Sequence, residues 1–367
     1  MWADIDLRAV RANIEALMEA AAPAAVMAVV KADGYGHGAV DVGRAALDAG
    51  ASWLGVALVE EGLELREAGI CAPILVLSEP PAEAASVAVA ASLTPVVYTE
   101  HGIEALARAV AEAGRDPLPV HIKIDTGMHR VGCAPARAVS LAQVVHNHSE
   151  LTLEGVCTHF AVADEPGNPY TSEQLHRFRA ALTELEHAGL RPPIVHAANS
   201  AATVARTDAR FDLVRAGIAV YGIPPAPVFD GRFPLRPALS LRAQVSHVFE
   251  LAAGASVSYG LRYRLTRSGR IAVVPIGYAD GVPRVLGARG GQVLIGGVRH
   301  PIAGTITMDQ LCVDVRDHAV EPGDEVVLLG RQGDEEITAG EWAARVDTIP
   351  YEIVCGIGPR VPRRAWD

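Results

Sequence analysis

Over its first 220 or so residues, the chain alternates between short apolar runs and longer segments rich in Ala, Glu and Arg. The short runs contain mainly Val, Ile and Leu, and the longer segments carry apolar residues at helical spacing. Eight apolar runs end near Lys31, Ala57, Leu77, Val97, Ile124, Thr158, His196 and Val220. Strands that are apolar on both faces and alternate with helices predict a parallel sheet covered on its faces. Eight such units in this length favour a closed (β/α)8 barrel over an open sheet.

The segments between the apolar runs predict helices with defined ends. Helical spacing covers residues 7–22, 40–49, 60–68, 100–113, 137–146 and 171–187. Four of these segments are followed by a glycine, at Gly50, Gly69, Gly114 and Gly189. Glycine adopts the left-handed conformation that ends many helices, so each of these residues predicts a helix end.

The pattern changes after Tyr221. A proline-rich linker, Ile223-Pro-Pro-Ala-Pro-Val, is followed by short alternating segments separated by glycine turns, with one further helical pattern at 339–345. We therefore predict an α/β barrel domain over residues 1–230 and a mainly β domain over residues 231–367. The first few residues are expected to pack with the second domain.

Charge and cysteine content exclude several classes of protein. The 43 acidic and 32 basic residues give a net charge of −11, and no Lys/Arg cluster suggests a nucleic-acid surface. Five cysteines, without a C-x-x-C pair, argue against a disulfide framework or a zinc site. The start lacks a signal-peptide pattern, and no apolar stretch reaches the roughly 20 residues of a membrane span. We expect a cytoplasmic protein with no metal, membrane or nucleic-acid partner.

Polar side chains follow several of the predicted barrel strands. They are Lys31, Lys123, Asp125, Arg130, His159, Asn199, Ser200 and Arg215. Active sites of such barrels lie at the carboxyl ends of the strands, so these residues predict one site at the barrel mouth. The alternative is that strand ends are polar simply because loops begin there.

Lys31 is the most informative of these residues. It ends an apolar run and precedes Ala-Asp-Gly-Tyr-Gly-His-Gly, so its amine emerges beside a buried core. A lysine in such surroundings can form a Schiff base with a carbonyl compound. By itself, however, a lysine after a strand is more often a solvated head on an apolar stem.

Nine short segments, spread in order over more than 300 residues, carry a resemblance to a known family. They are Val29-Val-Lys-Ala-Asp-Gly-Tyr-Gly-His-Gly, Ile124-Asp-Thr-Gly-Met-His-Arg-Val-Gly, Thr158-His-Phe-Ala, His196-Ala-Ala-Asn-Ser-Ala, Arg215-Ala-Gly-Ile with Tyr221-Gly, Val257-Ser-Tyr-Gly, Pro275-Ile-Gly-Tyr-Ala-Asp-Gly, Thr307-Met-Asp-Gln and Pro350-Tyr-Glu-Ile. Together these segments resemble those of alanine racemases. The resemblance implies a homodimeric enzyme that binds pyridoxal 5'-phosphate and interconverts L-alanine and D-alanine, with D-alanine supplied for peptidoglycan.

The resemblance also assigns a two-base mechanism. Lys31, which attaches the cofactor, serves one face of the substrate, and Tyr259 of the other subunit serves the opposite face. Two acid/base groups on opposite sides are an economical way to remove a proton and return one from the other side.

Cofactor binding is assigned to Lys31, Tyr35, His159, Asn199, Ser200, Arg215, Gly217, Ile218 and Tyr351. The resemblance places Arg215 opposite the pyridine nitrogen, in contact with His159. Arginine only donates hydrogen bonds, so it does not keep that nitrogen protonated as an acidic partner would, which restrains side reactions such as transamination. The phosphate is expected to receive hydrogen bonds from Tyr35, Ser200, Gly217, Ile218 and Tyr351.

Substrate binding is assigned to Arg130 and, from the other subunit, to Met308 and Tyr278, with Asp309 supporting the Met308 turn. Lys123 matches a lysine that is carbamylated in many family members, and the alternative is a plain lysine paired with Asp125. One departure from the family pattern is His129, which stands where glycine is frequent.

Three other functions compete with this interpretation. Barrel-only pyridoxal-phosphate homeostasis proteins lack the β domain, and decarboxylases of similar plan have an acidic partner at the ring nitrogen where Arg215 stands here. A racemase of broad specificity, or one that prefers serine or lysine, is the third alternative.

Overall fold

The computed structural model describes all residues, Met1–Asp367, in twenty strands and eleven α-helices, numbered here in chain order. The fold divides into two compact units. Val10–Gly34 and Ala39–Arg236 form the first, here called the barrel unit. Met1–Ala9, Tyr35–Gly38 and Pro237–Asp367 form the second, here called the β unit.

The barrel unit contains eight parallel strands. They are β2 (Ala25–Val29), β3 (Trp53–Val56), β4 (Ile74–Val76), β5 (Thr94–Val97), β6 (Leu118–Lys123), β7 (Leu151–Cys157), β8 (Ile194–His196) and β9 (Leu213–Ala216). Each strand from β2 to β7 pairs with the next, and β9 pairs with β2. Backbone hydrogen bonds from Asp212 N to Val195 O (3.0 Å) and from Arg215 N to Ala198 O (2.9 Å) close the ring between β8 and β9. The predicted (β/α)8 barrel is confirmed.

Helices precede and connect these strands. They are α1 (Leu7–Ala21), α2 (Lys31–Gly36), α3 (Ala39–Asp48), α4 (Val59–Glu67), α5 (Ala85–Ala90), α6 (Glu100–Ala113), α7 (Ala138–Asn147), α8 (Tyr170–His187) and α9 (Ser200–Ala205). Helix α6 begins where the Thr99 side chain accepts a hydrogen bond from Gly102 N, and it ends at Gly114 with φ of 58°. The other three predicted end glycines also have positive φ, as predicted.

The β unit is mainly β, as predicted. Its strands are β1 (Trp2–Asp6), β10 (Leu239–Gln244), β11 (His247–Leu251), β12 (Ser256–Val257), β13 (Tyr263–Arg264), β14 (Gly269–Val274), β15 (Gln292–Ile295), β16 (Val298–Pro301), β17 (Leu311–Arg316), β18 (Glu325–Gln332), β19 (Glu335–Ile337) and β20 (Arg363–Trp366). Two helices, α10 (Ala339–Val346) and α11 (Pro350–Cys355), follow β19. The largest sheet has the order β16-β15-β18-β10-β1-β20, with β19 beside β18.

Strand β1 explains why the first residues belong to the β unit. It pairs antiparallel with β10 and parallel with β20, so its backbone groups are satisfied on both edges. Its alternate residues Ala3 and Ile5 are fully buried in the same core as Leu241 and Val327. This alternation is the period that a strand with one buried face requires. No helix in either unit has both the length and the apolar character needed to cross a bilayer.

Candidate active site

Parallel strands bring the predicted polar residues of the barrel unit to one rim. Lys123 ends β6, His159 follows β7, Ser200 follows β8, Arg215 lies in β9, and Lys31 begins the segment after β2. The carboxyl ends of all eight strands share this rim, so residues far apart in sequence become neighbours. The chain has only two lysines, Lys31 and Lys123, and both lie at this mouth.

Arg215 is buried and held by four hydrogen bonds. Its Nη2 donates to Thr158 O (2.6 Å), to Ala197 O (3.0 Å) and to Nδ1 of His159 (3.2 Å), and its Nη1 donates to Nδ1 of His196 (2.8 Å). None of these partners is a carboxylate. The contact between Arg215 and His159 that the resemblance implied is present.

Four basic side chains, Lys31, Lys123, Arg130 and Arg215, act electrostatically on His159 at the mouth. Burial, together with the charges of Arg215, Arg130 and Lys31, lowers the pKa of Lys123 to about 8 against the opposing effect of Cys157. Burial, together with the same three cations and Lys123, lowers the pKa of His159 well below its ordinary value. The His159 ring is therefore neutral and accepts the hydrogen bond from Arg215 at Nδ1.

Lys123 does not pair with Asp125. Oδ1 of Asp125 instead accepts three backbone hydrogen bonds, from Gly127 N (2.9 Å), Met128 N (3.0 Å) and His129 N (3.0 Å). Burial alone would raise the pKa of this carboxyl, but these backbone hydrogen bonds lower it. His129 has φ of 55°, the left-handed conformation that explains why glycine suits this position.

The segment after β2 is wound in the left-handed sense. Ala32, Asp33, Gly34, Tyr35 and Gly36 have successive φ values of 51°, 51°, 58°, 52° and 80°. A left-handed turn costs about 1–2 kcal/mol for each residue with a β-carbon, so contacts must hold it. Gly34 N donates to Val30 O (2.8 Å) and Ala39 N to Oδ1 of Asp33 (3.0 Å).

Glu61 also holds this turn, and the sequence analysis missed it. Its carboxylate accepts from Ala32 N at 2.7 Å, directly beside Lys31. The same carboxylate accepts from Ala57 N (2.7 Å) and Leu58 N (3.1 Å) at the start of α4. The spacing of Glu61 from Leu58 is a helix-capping signal, but the sequence does not show its third contact, with Ala32, which lies 29 residues earlier in the chain.

Ser200, Gly217 and Ile218 lie together at the ends of β8 and β9. Oγ of Ser200 accepts from Gly217 N (2.8 Å) and Ala219 N (3.4 Å), which leaves its own proton available to an anion. Ile218 opens a 3-10 turn, whose first N–H group is not used by the turn itself. The Asn199 side chain caps α9 by accepting from Ala202 N (3.0 Å), so this oxygen is already engaged.

Tyr35 and Tyr351, both predicted phosphate donors, lie side by side in the β unit. Their ring centroids are 6.1 Å apart, and Tyr35 is buried. Gly36 secures the contact, because a β-carbon there would overlap Val354 O in α11. Nε of Arg363 also donates to Gly36 O (3.0 Å).

Three neighbouring loops of the β unit carry Tyr259, Tyr278 and Met308. Their side chains are 73%, 41% and 52% exposed, whereas large apolar groups are usually buried. Oγ1 of Thr305 donates to Tyr259 O (2.8 Å), and Tyr278 N donates to Thr307 O (3.0 Å). The backbone thus joins the three predicted residues into one cluster.

Arg360, also missed by the sequence analysis, connects Asp309 to this cluster. Its Nη2 is 2.8 Å from Oδ1 of Asp309, and its Nε is 3.2 Å from Oδ1 of the fully buried Asp280. The other Asp280 oxygen accepts from Gly277 N (2.8 Å). Asp309 therefore supports the loop through Arg360.

Both units match a single family. Residues 5–225 match the N-terminal domain of alanine racemase, and residues 238–365 match its C-terminal domain. The alanine racemase of Symbiobacterium thermophilum is 52% identical over 99% of this chain and 96% of its own length. The alanine racemase structure from the D-cycloserine-producing Streptomyces lavendulae has a TM-score of 0.94 and 43% identity, covering 100% of this chain and 97% of that one.

Similarity extends to a racemase with another named substrate. The histidine racemase of Leuconostoc mesenteroides subsp. sake has a TM-score of 0.91 and 30% identity, covering 100% of this chain and 98% of its own. Fold and site together define the class of two-domain amino-acid racemases. Within that class, the family matches and the identities are decisive, and the chain belongs to the alanine racemase family.

Proposed function

We propose that this chain interconverts L-alanine and D-alanine with pyridoxal 5'-phosphate bound at the barrel mouth. The observation that carries the proposal is the group of Lys31, Lys123, Arg130 and Arg215, whose positive charges act together on Lys123 and His159 at the barrel mouth. Such a cluster suits a ligand that brings a phosphate and a carboxylate.

The donor groups of the barrel unit fit the cofactor. Ser200, with its proton available, and the N–H group of Ile218 would bind the phosphate oxygens, and Lys31 would attach the aldehyde carbon. Arg215 would face the ring nitrogen and His159 would hold Arg215, while Tyr35 and Tyr351 of the β unit would add phosphate donors. When bound, pyridoxal phosphate makes the α-proton of an amino acid labile.

Proton transfer is assigned to two side chains. Nζ of Lys31 would take or give the α-proton on one face of alanine, and the Tyr259 hydroxyl would do the opposite on the other face. One proton leaves and one returns, so the net change is inversion at Cα. Arg130 is exposed and its positive charge acts on Lys123, and its donors would bind the substrate carboxylate and the ring oxygen of the cofactor.

We further propose that Tyr259, Tyr278 and Met308 complete the barrel of a second copy in a homodimer. All three are exposed in the single chain, as expected of residues that become covered on association. The backbone N–H of Met308 would help to bind the carboxylate, and Tyr278 would narrow the entrance. A reducing compartment such as the cytoplasm suits the protein, since no disulfide joins its five cysteines.

Lys123 is proposed to carry a carbamate. With a pKa of about 8 it is partly neutral near that pH, and a neutral amine adds to carbon dioxide with loss of one proton. The product is an anion among three cations, which removes the unfavourable charge and would fix Arg130.

The test is optical conversion of each alanine enantiomer by cofactor-loaded protein. We expect conversion in both directions, with serine and histidine turned over far more slowly. Lys31→Ala should lose both the visible absorbance of the attached cofactor and the activity. Tyr259→Phe should keep that absorbance and lose activity by a factor of about 10²–10⁴, the usual contribution of an acid/base group.

Tyr263→Phe is the matched control, because its hydroxyl bonds to Asp314 (2.7 Å) in the same unit. It should retain most of the wild-type activity. A protein that takes up the cofactor but inverts serine or histidine and not alanine would contradict the substrate assignment. A protein that binds no cofactor would contradict the whole proposal.

A further inference from the structure

A line of buried side chains leads from Arg215 away from the barrel mouth. Nη1 of Arg215 is 2.8 Å from Nδ1 of His196, and Nε2 of His196 is 2.8 Å from Nδ1 of His121. Nε2 of His121 is 3.3 Å from Oε2 of Glu154. Both histidines are fully buried, whereas the Glu154 side chain is 29% exposed.

The two ends of this line fix the direction of every hydrogen bond in it. Arginine only donates, so Nδ1 of His196 must accept and its proton must be on Nε2. His196 then donates to Nδ1 of His121, which places the His121 proton on Nε2, facing the carboxylate of Glu154. Both rings are therefore neutral, and burial lowers the pKa of each, most strongly for His196, against the opposing effect of Glu154 on His121.

The barrel is shaped around His121. A β-carbon at Gly155 would lie 2.5 Å from both Cε1 and Nδ1 of the ring, so only glycine fits beside it. Trp53 packs against the ring with centroids 5.6 Å apart, and His196 meets it edge-on at 5.0 Å. The β6–β7 register shifts here, with Val120 opposite Leu153 and His121 opposite Gly155, so that Glu154 is the extra residue of a bulge.

We propose that His196, His121 and Glu154 form a one-way hydrogen-bond chain that positions Arg215, with Glu154 as its final acceptor. His121 and Glu154 are thus positioning residues for the proposed reaction, far in sequence from the arginine that they orient. The link to catalysis rests on the proposed function, whereas the chain itself does not.

The hydrogen-bond chain compensates the buried positive charge of Arg215. A buried cation is costly unless an opposite charge or polar groups compensate it, yet a carboxylate in direct contact would occupy its donors and add negative charge at the mouth. Two neutral rings allow the negative charge to stay at Glu154, while polarisation along the hydrogen bonds supports the cation. The competing interpretation is that these histidines only fill the core.

Ring tautomers distinguish the two interpretations. In cofactor-loaded protein labelled with ¹⁵N-histidine, we expect protonated Nε2 and unprotonated Nδ1 at neutral pH for both His121 and His196. Signals are assigned by their loss in His121→Phe and His196→Phe. A ring protonated at Nδ1, or at both nitrogens, would overturn the chain.

Variants of Glu154 test the positioning role. Glu154→Leu should shift the His121 ring nitrogens and lower kcat about tenfold, the contribution expected of one hydrogen bond to a charged group, with KM little changed. Glu154→Gln keeps an accepting oxygen, so it should retain the tautomers and recover part of kcat. Gly155→Ala should displace the His121 ring and reproduce the Leu variant.

Glu186→Gln is the matched control, because Glu186 pairs only with Arg191 on the barrel surface. This variant should leave the histidine ring shifts, kcat and KM unchanged. Wild-type shifts and kcat in Glu154→Leu would overturn the positioning role, as would equal losses in the Leu and Gln variants. Failure of the wild type to racemise alanine would contradict the proposed function alone, because the tautomers are read independently of turnover.

Discussion

The barrel mouth and the exposed loops of the β unit carry the two halves of the proposed site in contrasting ways. At the mouth, Arg215 and Lys123 are buried basic side chains. In the loops, Tyr259 and Met308 are more than half exposed and uncharged, and backbone contacts between neighbouring turns hold them. The barrel mouth has the buried polar groups of a ligand-binding site. The loops have the exposed side chains of a surface that binds another protein molecule.

This contrast suggests a division of labour. Groups that must bind anions benefit from burial, because electrostatic attraction is stronger away from water. Groups that must reach a substrate held elsewhere need to project from their own unit. Under the proposed function, one chain binds the cofactor and two chains together racemise the substrate.

The sharpest test of this contrast is to mix two inactive variants. Lys31→Ala and Tyr259→Phe subunits, exchanged in equal amounts, should regain about a quarter of the wild-type activity, because half of the dimers are mixed and each has one intact site. The measurement is racemisation before and after subunit exchange.

Mixing Lys31→Ala with a Lys31→Ala, Tyr259→Phe double variant is the control, and it should remain inactive. Absence of recovery from two variants that demonstrably exchange would mean that Lys31 and Tyr259 act within one chain. The loops would then have a different role.

A smaller effect should follow from Gly277→Ala. A β-carbon there would overlap Met308 O and Thr307 O, and overpacking of this kind costs about 1–3 kcal/mol. We expect kcat/KM to fall about 10- to 100-fold while the affinity for the cofactor is unchanged. Gly340→Ala is the control, because its β-carbon would make only an ordinary van der Waals contact with Thr338. It should change neither kcat/KM nor the affinity for the cofactor. Weakened cofactor affinity in Gly277→Ala would show that the two halves are not independent.

The smallest effect concerns the pH dependence of stability at the mouth. The pKa of Lys123 is lowered from 10.5 to about 8, so below pH 8 the folded state bears the full cost of the buried charge. Between these two values the unfolded chain binds more protons, and the free energy of unfolding rises with pH. Lys123→Met should be more stable at pH 7 by on the order of 2 kcal/mol, a difference that shrinks toward pH 10.

Urea unfolding of cofactor-free protein in buffers without carbon dioxide measures this difference. The exposed Arg108→Met variant should follow the wild type at every pH. If the difference in free energy of unfolding between Lys123→Met and the wild type stays constant from pH 7 to pH 10, Lys123 does not titrate in the folded protein in that pH range.

The sequence predicted the parts of the fold that depend on local pattern. Apolar periodicity located all eight barrel strands, and the four end glycines located helix ends, because both signals act over a few residues. Strand direction then placed Lys123, His159 and Arg215 on one rim. The last predicted run was too long, since β9 ends at Ala216 and a 3-10 turn follows it.

Contacts between distant segments could not be predicted in this way. Glu61 reaches back to Ala32, Arg360 joins Asp280 to Asp309, and Glu154 ends a line that begins at Arg215. Each residue has an ordinary local setting, as a helix cap, a loop arginine or a strand glutamate. Only the folded backbone brings them to their partners, so their roles depend on tertiary geometry.

The scarcity of lysine has a practical consequence for chemistry in the cell and in the test tube. Neutral amines, unlike guanidinium groups, add to aldehydes and carbon dioxide, and apart from the chain terminus the only amines in this protein are those of Lys31 and Lys123. Because the surface cations of this protein are arginines, almost no other amine is available to react with an aldehyde. Reduction with borohydride should fix the label at one peptide, the one that contains Lys31.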